Sequence, residues 1–492
     1  MNTKKYLLAL LGAACAVSAF ADGVRYKDRM FKVGEPTTVT VVDSVPFLDT
    51  TNFHVLSSMM QMAGVEPMMY FYQDEKIAYE PLLMDIYQPK SDKAKKRPVV
   101  LICHGGAFVA GHKSDRDQKS VTYADSLAAR GFVTASLEYR QGAVLQNIRD
   151  EENDQTVYTI DSVDFARTVY RSVQDLSAAI RYLRTNAKTL KIDPDKIYVL
   201  GNSAGAMLGL ENIYGIERKD YPSYLDDSNF EMYTRTWSEE ETTFIYDTLS
   251  LGAVDEFGEQ GVSGVANGVV ALWGAIHDTE IVKNSKVPVF LAHGEADDVL
   301  PYKVGFAMED ADAIVREKVP EQYSMIADAL HFAIHTPTLY GSYIIDSILT
   351  EQEVYHEFYS PLGYDLKHEF YNSTRTGKDK KEIVFADSVQ NRVFDFLYKL
   401  AIDSLVAPGK DPTSIPMLAM VNPSKITMGE GNLSFTVVSG DNLGYAVFDL
   451  KGNRMLSGRA SMGETVAFDG MNSGVYYLRV QGEAARRIVV RK

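Results

Sequence analysis

Along most of this chain, apolar runs of strand length alternate with segments whose apolar positions recur at helical spacing. Pro98 to Cys103, Phe132 to Leu137, Ile197 to Leu200, Ala271 to Ile276 and Val287 to Ala292 are dominated by apolar and small residues, the mark of strands buried on both faces. Val121 to Arg130, Val169 to Ala187, Ala206 to Tyr214 and Ser388 to Ala401 read as helices. In the second of these, Val173, Leu176, Ala179, Ile180 and Leu183 fall on one face. Ahead of them, Met69 to Tyr72 and Leu82 to Tyr87 read as the two arms of an opening hairpin. Strands alternating with helices imply an α/β architecture, a mostly parallel sheet with helices on both faces. Such sheets bind ligands at the carboxyl ends of their strands.

The pattern changes near residue 403. Asp403 to Pro416 is rich in Pro and small residues and reads as a linker. After it come short alternating segments, Leu433–Val438, Tyr445–Leu450, Thr465–Phe468, Val475–Val480 and Ile488–Val490, punctuated by Gly, Asn and Asp. They predict a small all-β sandwich over 417–492, behind a larger α/β unit over 22–402. A chain of 492 residues is long enough for both cores.

Charge and composition narrow the partners. A formal net charge of -16 argues against nucleic acid and against an anionic membrane surface. Lys4 and Lys5, the apolar stretch Tyr6 to Phe20 and the small residues Ala19 and Ala21 predict a signal peptide cut after Ala21. That apolar stretch, roughly 15 residues, is shorter than the ~20 needed to span a bilayer. Export is therefore expected, to the medium or the cell surface. Removal of the signal would leave Cys103 as the one cysteine, so no intrachain disulfide is expected, and Cys103 itself reads as a small core residue.

The candidate chemistry sits where strands end. Gly201-Asn-Ser-Ala-Gly205 lies between the strand ending at Leu200 and the helix from Ala206, the strand–turn–helix context in which G-x-S-x-G lifts a serine above a sheet. Ser203 is the candidate nucleophile. His104-Gly-Gly-Ala-Phe108 follows the strand ending at Cys103, and its glycines would let backbone N–H groups approach a developing oxyanion. Gly106, Ala107 and Ala204 are the expected donors, with His104 orienting the loop. His293-Gly-Glu-Ala-Asp-Asp298 follows a later strand; Asp297 is preferred over Asp298 as the acid, and His293 reads as a packed histidine. The acid precedes the base in this order of parts, which leaves His331, His335, His356 and His368 of the nine histidines. His368 is preferred because its loop precedes the closing helix. His331 and His335 suit core or pocket-lining roles, and His356 suits a helix surface. No metal-ligand cluster or nucleotide-binding glycine loop appears, so no cofactor is implied.

At these motifs the sequence resembles the carboxylesterase and acetyl-esterase branch of the α/β-hydrolase superfamily, including its feruloyl- and acetylxylan-esterase-like members. The resemblance runs from about Pro81 to Ala401 and includes Leu137-Glu-Tyr-Arg140, Val173 to Arg181 and Tyr340-Gly-Ser-Tyr343 as well as the loops above. It implies the α/β-hydrolase fold and hydrolysis of short-chain acyl or aryl esters, with acetyl or feruloyl groups of plant polysaccharide as candidate substrates. Two segments, Gln141–Thr168 and Gly305–Pro337, are longer than in relatives, and Ala107 stands where many have Gly. The last segment, about Ile426 to Lys492, resembles the carboxy-terminal sorting domain of the type IX secretion system, which implies the secretion machinery as a partner. Two other readings compete. One is a serine peptidase on the same fold; the other is a non-catalytic binding protein whose sandwich is a carbohydrate-binding module presenting Tyr445, Tyr476 and Tyr477. The sequence fixes no oligomeric state.

Overall fold

A computed structural model describes residues 24–403 and 426–490, apart from 63–68, 116–119, 152, 222–230, 239, 241, 319–330, 362, 373, 377–381, 429–433, 438–442, 450–453, 469–470 and 481–485. The expected signal peptide over 1–21 and all but the first residue of the expected 403–416 linker lie outside the described residues.

Eight strands form the central sheet: β1 (Thr37–Leu48), β2 (Ile77–Tyr87), β3 (Arg97–Cys103), β4 (Val133–Leu137), β5 (Ile192–Asn202), β6 (Gly268–Leu272), β7 (Val289–Ala292) and β8 (His356–Tyr359). Their spatial order is 1-2-4-3-5-6-7-8. β2 pairs antiparallel with β1 and with β4, and every other neighbouring pair is parallel. All seven residues of β3 are buried, as expected for a strand covered on both faces. Alternate residues serve different layers. Val99, Leu101 and Cys103 join the core with α2 (Ser162–Thr185) and α3 (Ala204–Tyr214). Val100 and Ile102 face the opposite core, with α1 (Ser120–Ala128) and α5 (Phe385–Ala401). Asp161 starts α2 by accepting the backbone N–H groups of Val163 and Asp164. This is the α/β-hydrolase fold.

The order of strands selects the place for chemistry. From β3 the chain moves out to β4 on one side, and from β5 it moves to β6 on the other. The crevice outside the carboxyl ends of β3 and β5 is therefore the switch point where open α/β sheets bind ligands. Both motif loops leave the sheet there.

Three expectations about elements need correction. Met69–Tyr72 and Leu82–Tyr87 are not a hairpin: Phe71–Tyr72 pairs with Ala143–Val144, while β2 pairs with β1. The 271–276 run is interrupted. β6 ends at Leu272, Trp273 takes a left-handed φ of 46°, and Ala275–Ile276 pairs with Tyr340–Gly341 instead. His356 is a strand residue of β8, not a helix-surface one, and its Nε2 is 3.2 Å from Asp346. The two long segments singled out in sequence meet each other, since His331–Ile334 runs parallel to Val157–Ile160, which pairs on its other side with Gln146–Asp150.

The C-terminal unit consists of a three-stranded and a four-stranded antiparallel sheet. Phe435, Val437, Val447, Leu478, Ile488 and Val490 share one buried cluster. The strands include Arg454–Ala460, whose pattern gave no signal in sequence. Tyr476 is buried and donates to the carbonyl of Asn472, and Tyr445 packs edge-on to Phe435 at 5.2 Å. Two of the three tyrosines read as exposed are thus occupied in packing; the side chain of Tyr477 lies outside the described residues. Among the described residues no helix is long and apolar enough to cross a membrane.

Candidate active site

Ser203 sits between β5 and α3 with φ 53° and ψ -120°, a conformation that L-residues adopt only under constraint. The flanking glycines make it possible. A Cβ on Gly201 would meet the carbonyl oxygen of Gly205 at 2.0 Å, and one on Gly205 would meet that of Cys103 at 2.1 Å. The backbone N–H of Ser203 donates to Leu272 across the sheet, so the turn is fixed to β6.

The Ser203 hydroxyl lies 2.9 Å from Nε2 of His368, and His368 Nδ1 lies 2.8 Å and 3.0 Å from the two carboxylate oxygens of Asp297. His368 comes from the loop before α5, Asp297 from the loop after β7. The Asp297 side chain is fully buried; Oδ1 also accepts the N–H groups of Val299 and Leu300. Asp298, the other candidate acid, pairs with Lys367 at 2.7 Å instead. Burial alone would raise the Asp297 pKa. The charge of His368 and the contacts from His293 and His368 outweigh it and hold the carboxyl well below its usual range. His368 moves the other way: burial opposes its charge, but Asp297 more than compensates, so its pKa lies above the ordinary histidine value. His331 pairs with Asp312 at 3.2 Å, and His335 donates its backbone N–H to Ile160.

The His104 loop carries consecutive left-handed residues, Gly106, Ala107 and Phe108, with φ of 111°, 53° and 60°. A Cβ on Gly106 would overlap the Ala110 carbonyl at 2.0 Å, so the loop requires glycine there. His104 stacks on Tyr139 at 4.3 Å, and the Tyr139 hydroxyl donates to the His104 carbonyl. Arg140, next to Tyr139, forms a fully buried ion pair with Asp175 of α2 at 2.8 Å. Burial lowers the His104 pKa, which suits a neutral packed ring. Ala107, Ser203 and Ala204 border one hollow, which Phe108, Phe165, Met207, Val299, Leu300, Ala307 and Met308 also line. Ala204 is the first residue of α3, so its N–H has no partner within the helix. Among the described residues no group of His, Cys, Asp or Glu is arranged to hold a metal ion.

Two features escaped sequence reading. His293 is not merely packed: its Nε2 is 3.0 Å from Oδ2 of Asp297. His277 and Glu211 form a buried pair at 2.8 Å at the far end of α3, with nothing in the local sequence to link residues so far apart.

The family model described as BD-FAE matches residues 84–148 and 158–260. Gut esterase 1 of Caenorhabditis elegans is 27% identical over 25% of this chain and 19% of its own length. Carboxylesterase 3B of Mus musculus is 29% identical over 28% of this chain and 22% of its own. Neuroligin-like protein glit-1 of C. elegans is 28% identical over 28% of this chain and 16% of its own. The chain thus spans less than a quarter of the length of these relatives. A propionate-bound esterase of Thermogutta terrifontis superposes with a TM-score of 0.37 at 18% identity, covering 67% of this chain and 92% of that one.

Proposed function

We propose that this protein is a serine carboxylic-ester hydrolase. The observation that carries the reading is the continuous contact from Ser203 Oγ through His368 to the buried Asp297 carboxylate. In that reading, His368 Nε2 takes the hydroxyl proton as Ser203 Oγ bonds to the ester carbonyl carbon. The carbonyl oxygen becomes an oxyanion that accepts the N–H groups of Ala204, Ala107 and Gly106; one such donor is worth about 3 kcal/mol of barrier. The imidazolium, stabilised by Asp297, returns the proton to the leaving alcohol. Water then repeats the sequence on the acyl-enzyme and releases the acid.

The hollow beside Ser203 supports a short, uncharged acyl group, because its walls other than Ser203 are apolar. The side chains of Phe165, Met207 and Met308 beside Ser203 favour a small acyl group such as acetyl over an aryl one such as feruloyl. Exported polysaccharide esters are the proposed natural substrates, with residues 1–21 as the signal peptide and the C-terminal unit as a sorting address. Two measurements test this. A fluorophosphonate probe should label the wild type and not Ser203→Ala; a wild type that stays unlabelled defeats the reading as an enzyme. Acetate release from acetylated xylan should exceed ferulate release from feruloylated xylan, and no release from either removes the polysaccharide substrate.

A further inference from the structure

Two hydroxyl–imidazole arms converge on one carboxylate. On one side Ser203 Oγ is 2.9 Å from His368 Nε2, and His368 Nδ1 is 2.8 Å from Asp297 Oδ2. On the other, His293 Nε2 is 3.0 Å from the same oxygen, and His293 Nδ1 is 2.9 Å from Ser342 Oγ. The second arm is wholly buried: His293, at the end of β7, and Ser342, the first residue of α4 (Ser342–Glu351), have no exposed surface. Close packing at the start of α4 is enforced by Gly341, where a Cβ would meet the Pro301 carbonyl at 1.8 Å.

Resting on the serine-hydrolase reading, we propose that His293 and Ser342 act as positioning residues that hold Asp297 and restrain the basicity of His368. The proton arrangement follows from what each atom can do. A carboxylate only accepts, so a bare nitrogen lone pair 3.0 Å from it would be repelled; His293 Nε2 carries the hydrogen. In a neutral ring Nδ1 is then the acceptor, and Ser342 donates to it at 2.9 Å in preference to the Gly274 carbonyl at 3.3 Å. That donation polarises the ring and makes Nε2–H the stronger donor. The Nε2–H is bent away from a straight line to Oδ2, so the arm acts through its dipole more than through a linear hydrogen bond. Each donor to Asp297 leaves its carboxylate less able to stabilise the His368 cation.

Other charges surround this array. Asp298 pairs with Lys367, Glu369 adjoins His368, and Glu295 accepts the N–H of Gly363. Tyr302 meets His293 edge-on at 5.6 Å and donates or accepts at Ser360, while Lys303 lies over Tyr343. Asp298, Glu369 and Glu295 stay in place when His293 or Ser342 is replaced, so their charges are common to every variant compared.

The test is the pH profile of kcat/KM for an aryl acetate. His293→Leu should move the acid limb to higher pH by on the order of one unit, since Val299 and Leu300 still hold Asp297 while His368 gains the whole of Oδ2. Ser342→Ala should move it the same way by less, and Ser342→Thr, which restores the hydroxyl, should return it. The low-field N–H proton resonance of His368 should shift in the same order. An acid limb unmoved in Ser342→Ala, or moved to lower pH in either variant, overturns the inference. If His293→Leu does not fold, the Ser342→Ala and Ser342→Thr pair decides alone. A wild type that does not react with a fluorophosphonate would instead defeat the underlying reading, which keeps the two failures apart.

Discussion

Two imidazole–carboxylate pairs of this protein share a distance and differ in everything that follows from it. His368 lies 2.8 Å from Asp297, and His277 lies 2.8 Å from Glu211. Both carboxylates are buried, and both imidazoles bond them through Nδ1. What separates them is the other nitrogen. Nε2 of His277 faces the Asp220 carbonyl at 2.9 Å, an acceptor, so both nitrogens must carry hydrogens to be satisfied. Burial disfavours that cation, but the Glu211 charge and the two hydrogen bonds outweigh it, and the His277 pKa is raised to about 9. Nε2 of His368 faces a hydroxyl, which can donate, so the neutral ring is satisfied and keeps a lone pair for proton transfer. A carboxylate beside a histidine therefore does not make a base; the partner of the second nitrogen does.

The largest expected effect breaks the pair that meets a hydroxyl. Ser203→Ala should lower kcat by roughly 10⁴ to 10⁶ with the fold retained, measured by ester hydrolysis and circular dichroism. Asp297→Asn should cost about 10⁴, because an amide can leave His368 in the wrong tautomer. His277→Leu should do the reverse: kcat stays within a few-fold of wild type, while stability falls by about 3 to 5 kcal/mol as Glu211 is left buried and uncompensated. Equal losses of kcat in His277→Leu and Asp297→Asn would abolish the distinction.

Much of the pair that meets a hydroxyl was legible in sequence, because its parts are loops whose residue types are dictated locally. Gly201 and Gly205 are required by backbone contacts near 2 Å, and the Gly106 turn by an equally close one. The choice of Asp297 over Asp298 rested on loop habit; in the structure the N–H groups of Val299 and Leu300 donate to Asp297 Oδ1, while Asp298 pairs with Lys367. The His277–Glu211 pair was not legible, since the two residues come from different elements and carry no shared motif. The same holds for β1, which pairs with β2 across an intervening helix and loop, and for the contact between His331–Ile334 and Val157–Ile160. Pairing across such separations is settled by tertiary packing rather than by periodicity.

The two histidines also separate in pH. His368 has a raised pKa and must be neutral to act, so kcat/KM should fall with acid along a limb lying above the ordinary 6.5. His277 works in its charged form. Its folded pKa of about 9 exceeds the unfolded 6.5, so its contribution to stability is complete below 6.5 and is lost as pH rises through 9. Across that window roughly 3 kcal/mol is at stake. Chemical denaturation at pH 6.5 and 9.5 should show this decline in the wild type and a smaller one in His277→Leu. An equal decline in both would place the cause elsewhere.

The smallest effect sharpens what the base serves. Met308 closes the hollow that Ser203 opens onto, and its backbone N–H is tied to the Val299 carbonyl two residues beyond Asp297. The proposed acyl wall and Asp297 are therefore parts of one loop pair, and shortening Met308 should leave His368 untouched. In Met308→Ala the ratio of kcat/KM for butyrate to that for acetate should rise by about 10-fold, the worth of a methylene or two in an apolar pocket. The acid limb of the profile should not move. A limb displaced along with the chain-length preference would mean that Met308 acts on Asp297 through their shared loop, and that pocket size and basicity are set together.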